Sequence, residues 1–140
     1  MTSGSSSSAK NALGHLRVIE IGEDIGEFCC KTMADMGADV IRVEPRGGSK
    51  TREIGPFLND SKNPEQSLHF WAYNLNKRSI TLDLDAYEGQ EVLKKLIKKS
   101  DILVESTPHQ WMDERNLGYE ELQKVNPKII YVSISPFGRK

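Results

Sequence analysis

Two glycines and one acid offer the first chemical possibility in this sequence. Gly22 and Gly26 follow the run Val18-Ile-Glu-Ile21, and Glu44 closes a second apolar run that begins at Val40. A glycine turn after one strand, with an acid at the end of the next, is how a βαβ unit holds a dinucleotide. Backbone N–H groups take the pyrophosphate and the acid takes a ribose hydroxyl. The spacing here is Gly22-Glu-Asp-Ile-Gly26, not G-x-G-x-x-G. Glu23, Asp24 and Glu27 crowd the start of the helix that should follow, where carboxylates suit the helix dipole and repel a pyrophosphate. NAD or FAD is therefore the weaker ligand reading.

Other reactive side chains point to structure. The only cysteines, Cys29 and Cys30, are adjacent, so they cannot bridge each other in ordinary geometry and are expected to be buried or half-buried thiols. His15, His69 and His109 stand singly, without a second His or Cys at ligand spacing, so no metal site is expected. Lys94, Lys95, Lys98 and Lys99 read as the solvated face near a helix C-terminus. With 19 Lys and Arg against 20 Asp and Glu, the net charge is -1, and no basic footprint for nucleic acid or an anionic membrane is visible. No apolar run approaches the ~20 residues a membrane helix needs, and no apolar stretch follows the N-terminal charges. A cytoplasmic location is expected.

The elements that must position these groups follow from periodicity. A chain of 140 residues fits one domain with a core. Residues 1–12, MTSGSSSSAKNA, are too polar to offset the entropy of ordering and read as a disordered tail, leaving residues 13–140 as the folded part. Leu16 to Ile21 reads as a buried strand. Ile25, Cys29, Thr32, Met33 and Met36 recur at helical spacing up to Gly37, and Asp39 to Val43 is a second strand. Pro45 to Pro64 lacks periodicity and is expected to be a long surface loop, which in a small domain is usually functional or an interface. Leu68 to Tyr73 reads as a short helix and Ser79 to Leu84 as a third strand. Asp85-Ala-Tyr-Glu88 fits a capping box, with the Asp85 carboxylate accepting the Glu88 N–H. The helix it starts should bury Val92, Leu93, Leu96 and Ile97. Ile102 to Val104, Tyr119 to Val125 and Ile129 to Ile134 follow as strand, helix and strand. Alternating strands and helices imply an α/β fold with a Rossmann-like parallel sheet and flanking helices.

A run of blocks carries a more specific signal. Val18-Ile-Glu-Ile21, Ala34-Asp-Met-Gly-Ala-Asp-Val-Ile-Arg-Val-Glu-Pro45, Asn76-Lys-Arg-Ser-Ile-Thr-Leu-Asp-Leu84 and Glu88-Gly89 occur in that order. Asp101-Ile-Leu-Val-Glu105, Leu117-Gly-Tyr-Glu120, Asn126-Pro127 and Tyr131-Val-Ser-Ile-Ser135 complete them. From Leu16 to Gly138 the chain resembles the N-terminal part of the family III CoA-transferases, which include formyl-CoA transferase, carnitine CoA-transferase and α-methylacyl-CoA racemase. The resemblance implies a coenzyme A-binding Rossmann-like domain and interlocked protomers, as a homodimer or paired subunits. It implies that Ile25 and Gly26 lie in the first CoA-contacting loop. Leu82, Asp83, Leu84 and Asp85 would lie along the nucleotide end of CoA, with Ser106 and Thr107 beside the pantetheine or phosphate region.

The same resemblance exposes departures. Relatives like formyl-CoA transferase usually read Glu-Asn-Phe-x-Pro-Gly where this chain has Glu105-Ser-Thr-Pro-His-Gln110. The phosphate-facing arginine corresponds to Glu114, unless a one-residue shift lets Arg115 take over, and an acid, Asp85, stands where a base is often found. The family's nucleophile is an aspartate that takes the acyl group from CoA and forms an aspartyl-CoA thioester. No aspartate here occupies its motif, so no catalytic residue is assigned, the nucleophile is expected beyond Lys140, and the 140 residues alone should be inactive. The full-length protein implied by the resemblance moves CoA between carboxylic acids. A non-catalytic CoA-binding or partner subunit and the racemase branch are the alternatives.

Overall fold

The computed structural model describes residues 11–138. The first ten residues of the proposed tail lie outside the described part. Strands β1 (Arg17–Gly22), β2 (Asp39–Glu44), β3 (Arg78–Thr81), β4 (Ile102–Ser106) and β5 (Ile130–Ser133) form one sheet in the order β3-β2-β1-β4-β5. Every pairing is parallel. Helices α1 (Asp24–Asp35), α2 (Leu68–Asn74), α3 (Tyr87–Ile97) and α4 (Tyr119–Val125) connect the strands. The Rossmann-like α/β fold read from the periodicity is the one observed, and no helix of the described residues is long and apolar enough to cross a membrane.

The strand period of two divides the core between the sheet's faces. Ile19, Ile21, Ile41, Val43 and Leu103 pack with Leu93 and Ile97 of α3 and Leu122 of α4. Val18, Val40 and Val104 pack on the other face with Cys30 and Ala34 of α1. Cys30 is fully buried, and burial pushes its thiol well above the ordinary range, whereas Cys29 is exposed, contrary to expectation. On α3, Leu93 and Ile97 are buried but Val92 faces solvent, because the helix turns only a narrow stripe to the sheet.

One face of the sheet also buries charge. Glu20 of β1 and Arg42 of β2 are register partners, and the Arg42 Nη1 donates to Glu20 at 2.6 Å. Its Nη2 pairs with Glu27 of α1 at 2.6 Å and donates to Ser49 Oγ at 2.9 Å and to the Gly22 carbonyl at 3.2 Å. Lys77 closes the cluster from the α2–β3 turn, 2.8 Å from Glu20, donating also to the Glu27 carbonyl and to Asn74. Burial pushes the Glu20 carboxyl up, against the pull of Arg42 and Lys77. Glu27, in the first turn of α1, is fully buried, since its spacing puts it on the face that meets Arg42.

The segment after β2 is more ordered than the expected loop. It holds 3-10 turns at Lys50–Glu53, Leu58–Asp60 and Pro64–Gln66. Its anchor is Glu44, whose carboxylate accepts from Arg52 Nε and Nη2 at 2.7 and 2.8 Å, from Ser49 N at 2.9 Å and from Ser79 Oγ. Burial alone would push the Glu44 carboxyl up, but these donors outweigh it and hold it at about 2. The Arg52 guanidinium lies 3.9 Å from the ring centroid of Phe70, which is buried. The expected capping box is also absent: Ala86 is the N-cap of α3, without a side-chain bond, because Arg115 holds the Asp85 carboxylate.

Two outcomes follow for stability. Arg42→Met leaves Glu20 and Glu27 buried without their shared cation, so urea unfolding should show a loss of about 3–5 kcal/mol; a loss within 1 kcal/mol would contradict the cluster's role. Because the folded-state pKa of Glu44 lies below its unfolded value, its stabilisation is complete above the ordinary carboxylate range and is lost as the pH falls through about 2. Glu44→Gln should therefore cost about 3 kcal/mol at pH 7, and its thermal midpoint should converge with the wild-type value as the solution is acidified towards pH 2. A gap independent of pH would contradict this.

Candidate functional site

The C-terminal ends of β1 to β4 open into one cleft. In a sheet of this order the chain reverses direction between β1 and β4, and ligands of open α/β sheets sit outside the strand C-termini at that point. The cleft found there has a volume of about 470 Å³. Ile21, Gly22 and Glu23 line it after β1, Pro45, Arg46, Ser49 and Lys50 after β2, and Thr107, Pro108 and Trp111 after β4. The segment Leu82 to Asp85, after β3, forms a further wall.

Close backbone approaches set this shape. Gly22 has φ +126°, and a Cβ there would lie 2.5 Å from Ser106 Oγ and 2.8 Å from Ser106 backbone atoms. Only glycine lets the β1 and β4 ends meet this tightly. Gly89 of α3 plays the matching part on the other side, since a Cβ there would lie within 2 Å of the Asp83 carbonyl oxygen. It lets the first turn of α3 seat against the Leu82 to Asp85 wall.

Of the site residues expected from sequence, Leu82, Asp83, Leu84, Asp85 and Thr107 line the cleft together. The others do not. Ile25 is exposed in the first turn of α1, and Gly26 is buried against Ser106. Ser106 is itself buried, its hydroxyl donating to the Glu23 carbonyl at 3.0 Å. Arg115 stands behind the rim, stacked 3.9 Å from the Trp111 ring centroid and paired with Asp85. Thr107 donates from its hydroxyl and its N–H to Glu105 at 2.6 and 2.8 Å.

Residues that the sequence did not single out complete the walls. Arg46 and Lys50 bring cations to the rim, and each faces an acid: Arg46 lies 3.4 Å from Asp83 and Lys50 3.8 Å from Glu23. Their signal was available, because glycines at 47 and 48 after β2 indicate a tight turn that returns the chain to the strand ends. Gly48 N donates to the Pro45 carbonyl at 3.0 Å across that turn. Glu44, the acid that a dinucleotide would need for its ribose, is committed to Arg52, Ser49 and Ser79. The arrangement suits a ligand with an extended apolar part and polar ends: Ile21, Val43, Leu82, Leu84 and Trp111 give apolar walls, and the rim carries charge pairs. Among the described residues, no three His, Cys, Asp or Glu side chains come together to hold a metal.

Comparison with known proteins agrees with this geometry. The profile of CoA-transferase family III matches residues 13–140. Succinyl-CoA:(R)-benzylsuccinate CoA-transferase subunit BbsE of Thauera aromatica is 37% identical over 88% of this chain and 30% of its own length. The succinate–glutarate CoA-transferase of Agrobacterium fabrum is 39% identical over 93% of this chain and 34% of its own length. The crystal structure of a CAIB/BAIF family protein from Brucella suis superposes with a TM-score of 0.77 at 35% identity, covering 86% of this chain and 32% of that one. The chain thus spans about a third of the length of the relatives it matches. A parallel sheet in this order, a cleft at its reversal point and a family match over nearly the whole chain together place it in CoA-transferase family III.

Proposed function

We propose that the cleft holds the CoA part of an acyl-CoA, and that the whole protein is a CoA-transferase moving CoA between carboxylic acids. The observation that carries this is the wall from Leu82 to Asp85. The resemblance puts that segment along the nucleotide end of CoA, and it lines the cleft together with Glu23, Lys50 and Thr107. The relatives whose names include CoA-transferase support the reaction class. In the proposed reaction a carboxylate supplied outside these 140 residues attacks the thioester carbonyl and displaces the CoA thiolate, giving a mixed anhydride. The thiolate then attacks the aspartyl carbonyl, releasing the first acid and leaving an aspartyl-CoA thioester for the second acid to resolve. Covalent catalysis of this kind divides one difficult transfer into easier steps. Among the described residues, none is assigned the nucleophile's part. Cys30 is sealed in the core, and the acids in contact with the cleft sit on its rim or are held by neighbours.

In this reading residues 13–140 are the CoA-binding unit, at work in the cytoplasm, and the active assembly is a homodimer or a pair of subunits. Exposed Phe28, Trp71, Tyr73 and Leu75 on the α1–α2 side are consistent with a covered face in that assembly. A second reading, a non-catalytic CoA-binding subunit, is favoured by the segment from Glu105 to Gln110, whose Ser106 and Thr107 hydroxyls are held internally. One relative also carries the word subunit in its name.

Calorimetry on the 140-residue chain should show CoA binding in preference to NAD, with affinity falling as salt rises because the exposed rim charges are screened within about 8 Å at physiological ionic strength. The same protein should give no turnover with acyl-CoA donors and a panel of carboxylates. Tighter binding of NAD, or transfer that survives removal of contaminating enzymes, would overturn the proposal.

A further inference from the structure

Two hydroxyls line the cleft, Ser49 and Thr107, and they are bonded in opposite senses. Thr107 gives its proton to Glu105 at 2.6 Å. Ser49 only accepts: Arg42 Nε and Nη2 both donate to its Oγ, at 3.3 and 2.9 Å. These two bonds take both lone pairs of the hydroxyl, and a guanidinium has no lone pair with which to receive a proton in return. Among the described residues, no acceptor takes the Ser49 proton. Ser49 is only 5% exposed, so bulk water does not serve it, and buried donors without an acceptor are rare. The residue is also pinned, its N–H donating to Glu44 at 2.9 Å and its carbonyl accepting from Arg52 N at 3.0 Å. With the guanidinium on the inner side of the oxygen, tetrahedral geometry turns the proton outward, to the cleft that Ser49 lines.

We propose that the Ser49 hydroxyl, turned outward by Arg42, donates to an oxygen of the CoA diphosphate. This rests on the CoA reading of the cleft and names a residue that would touch the ligand there. The sheet order carries the choice of group. Ser49 follows β2, and the order β3-β2-β1-β4 sets it between the Leu82 to Asp85 wall, after β3, and Thr107, after β4. A ligand with its nucleotide along the first and its pantetheine at the second crosses the ends of β2 and β1 with the diphosphate that joins them. A hydroxyl fixed as a donor suits a group that only accepts, and a ligand donor placed there would leave two protons facing each other. Hydrogen bonds to an ionised acceptor are the stronger kind, and the chain from guanidinium to hydroxyl to phosphate polarises each bond in turn. Arg42, whose own charge is matched by Glu20 and Glu27, acts through Ser49 as a positioning residue.

Phosphorus NMR of CoA titrated with the 140-residue chain tests this, because the diphosphate and the ribose phosphomonoester give separate signals. Ser49→Ala should lower CoA affinity by about tenfold in calorimetry. At saturation it should remove most of the shift that the wild-type protein induces in the diphosphate signals while leaving the phosphomonoester shift in place. Ser49→Cys, nearly the same shape but a weak donor, should behave in the same way, and it serves where circular dichroism shows that the alanine variant has not folded. A change in lip shape alone would move both kinds of signal together. Equal loss of the two shifts, loss confined to the phosphomonoester, or CoA affinity within twofold of the wild type would overturn the inference while leaving the CoA reading standing. Failure of the wild-type chain to bind CoA would overturn that reading and this inference with it.

Discussion

A guanidinium buried between two strands and a helix constrains everything around it. Arg42 sits on the second strand of a sheet covered on both faces, where a lone cation would be costly to desolvate. It persists because Glu20 comes alongside in register from β1, Glu27 from α1, and the Ser49 hydroxyl and Gly22 carbonyl from the strand ends. Two carboxylates so close would repel each other, and Lys77 supplies the second cation that balances them. The register of β1 on β2, the seating of α1 and the path of the α2–β3 turn thus share one electrostatic requirement.

That requirement reaches the cleft through two short links. Arg42 touches Gly22, on one lip, and Ser49, on the other, so both lips are tied to one side chain. Glu44 repeats the device one turn further out, holding Ser49, Arg52 and Ser79. With these polar groups committed inside, the cleft presents apolar walls and a rim of paired charges. A rim whose cations are each paired with an acid has little long-range pull on an anion. The acids at Glu23, Asp83 and Asp85 belong to the rim as partners of Lys50, Arg46 and Arg115.

The fold was legible because strand and helix periods are strong where both faces are buried: β1, β2 and α4 fall within a residue or two of their expected ends. The wall from Leu82 to Asp85 was legible through the resemblance, which attaches a role to a short segment. The charge cluster was not. Glu20 and Arg42 look like interruptions in two apolar runs until the strands are paired, and register is a tertiary property. Asp85 misled for a related reason, since its local pattern is a good capping box and a cation thirty residues later takes the carboxylate. The rim cations Arg46 and Lys50 lie in a segment without periodicity, where the glycines at 47 and 48 are the one local signal and the remaining order comes from the long-range bonds of Glu44 and Arg42.

The claim that the strand-end cleft is the CoA site is tested most directly by following backbone amide and indole resonances of the isotope-labelled chain during a CoA titration. We expect the perturbed signals to be those of Gly22, Glu23, Arg46 to Lys50, Leu82 to Asp85 and Thr107, with the Trp111 indole among them. Perturbations concentrated instead on the α1–α2 side, around Trp71 to Lys77, with the cleft signals unmoved, would contradict the assignment.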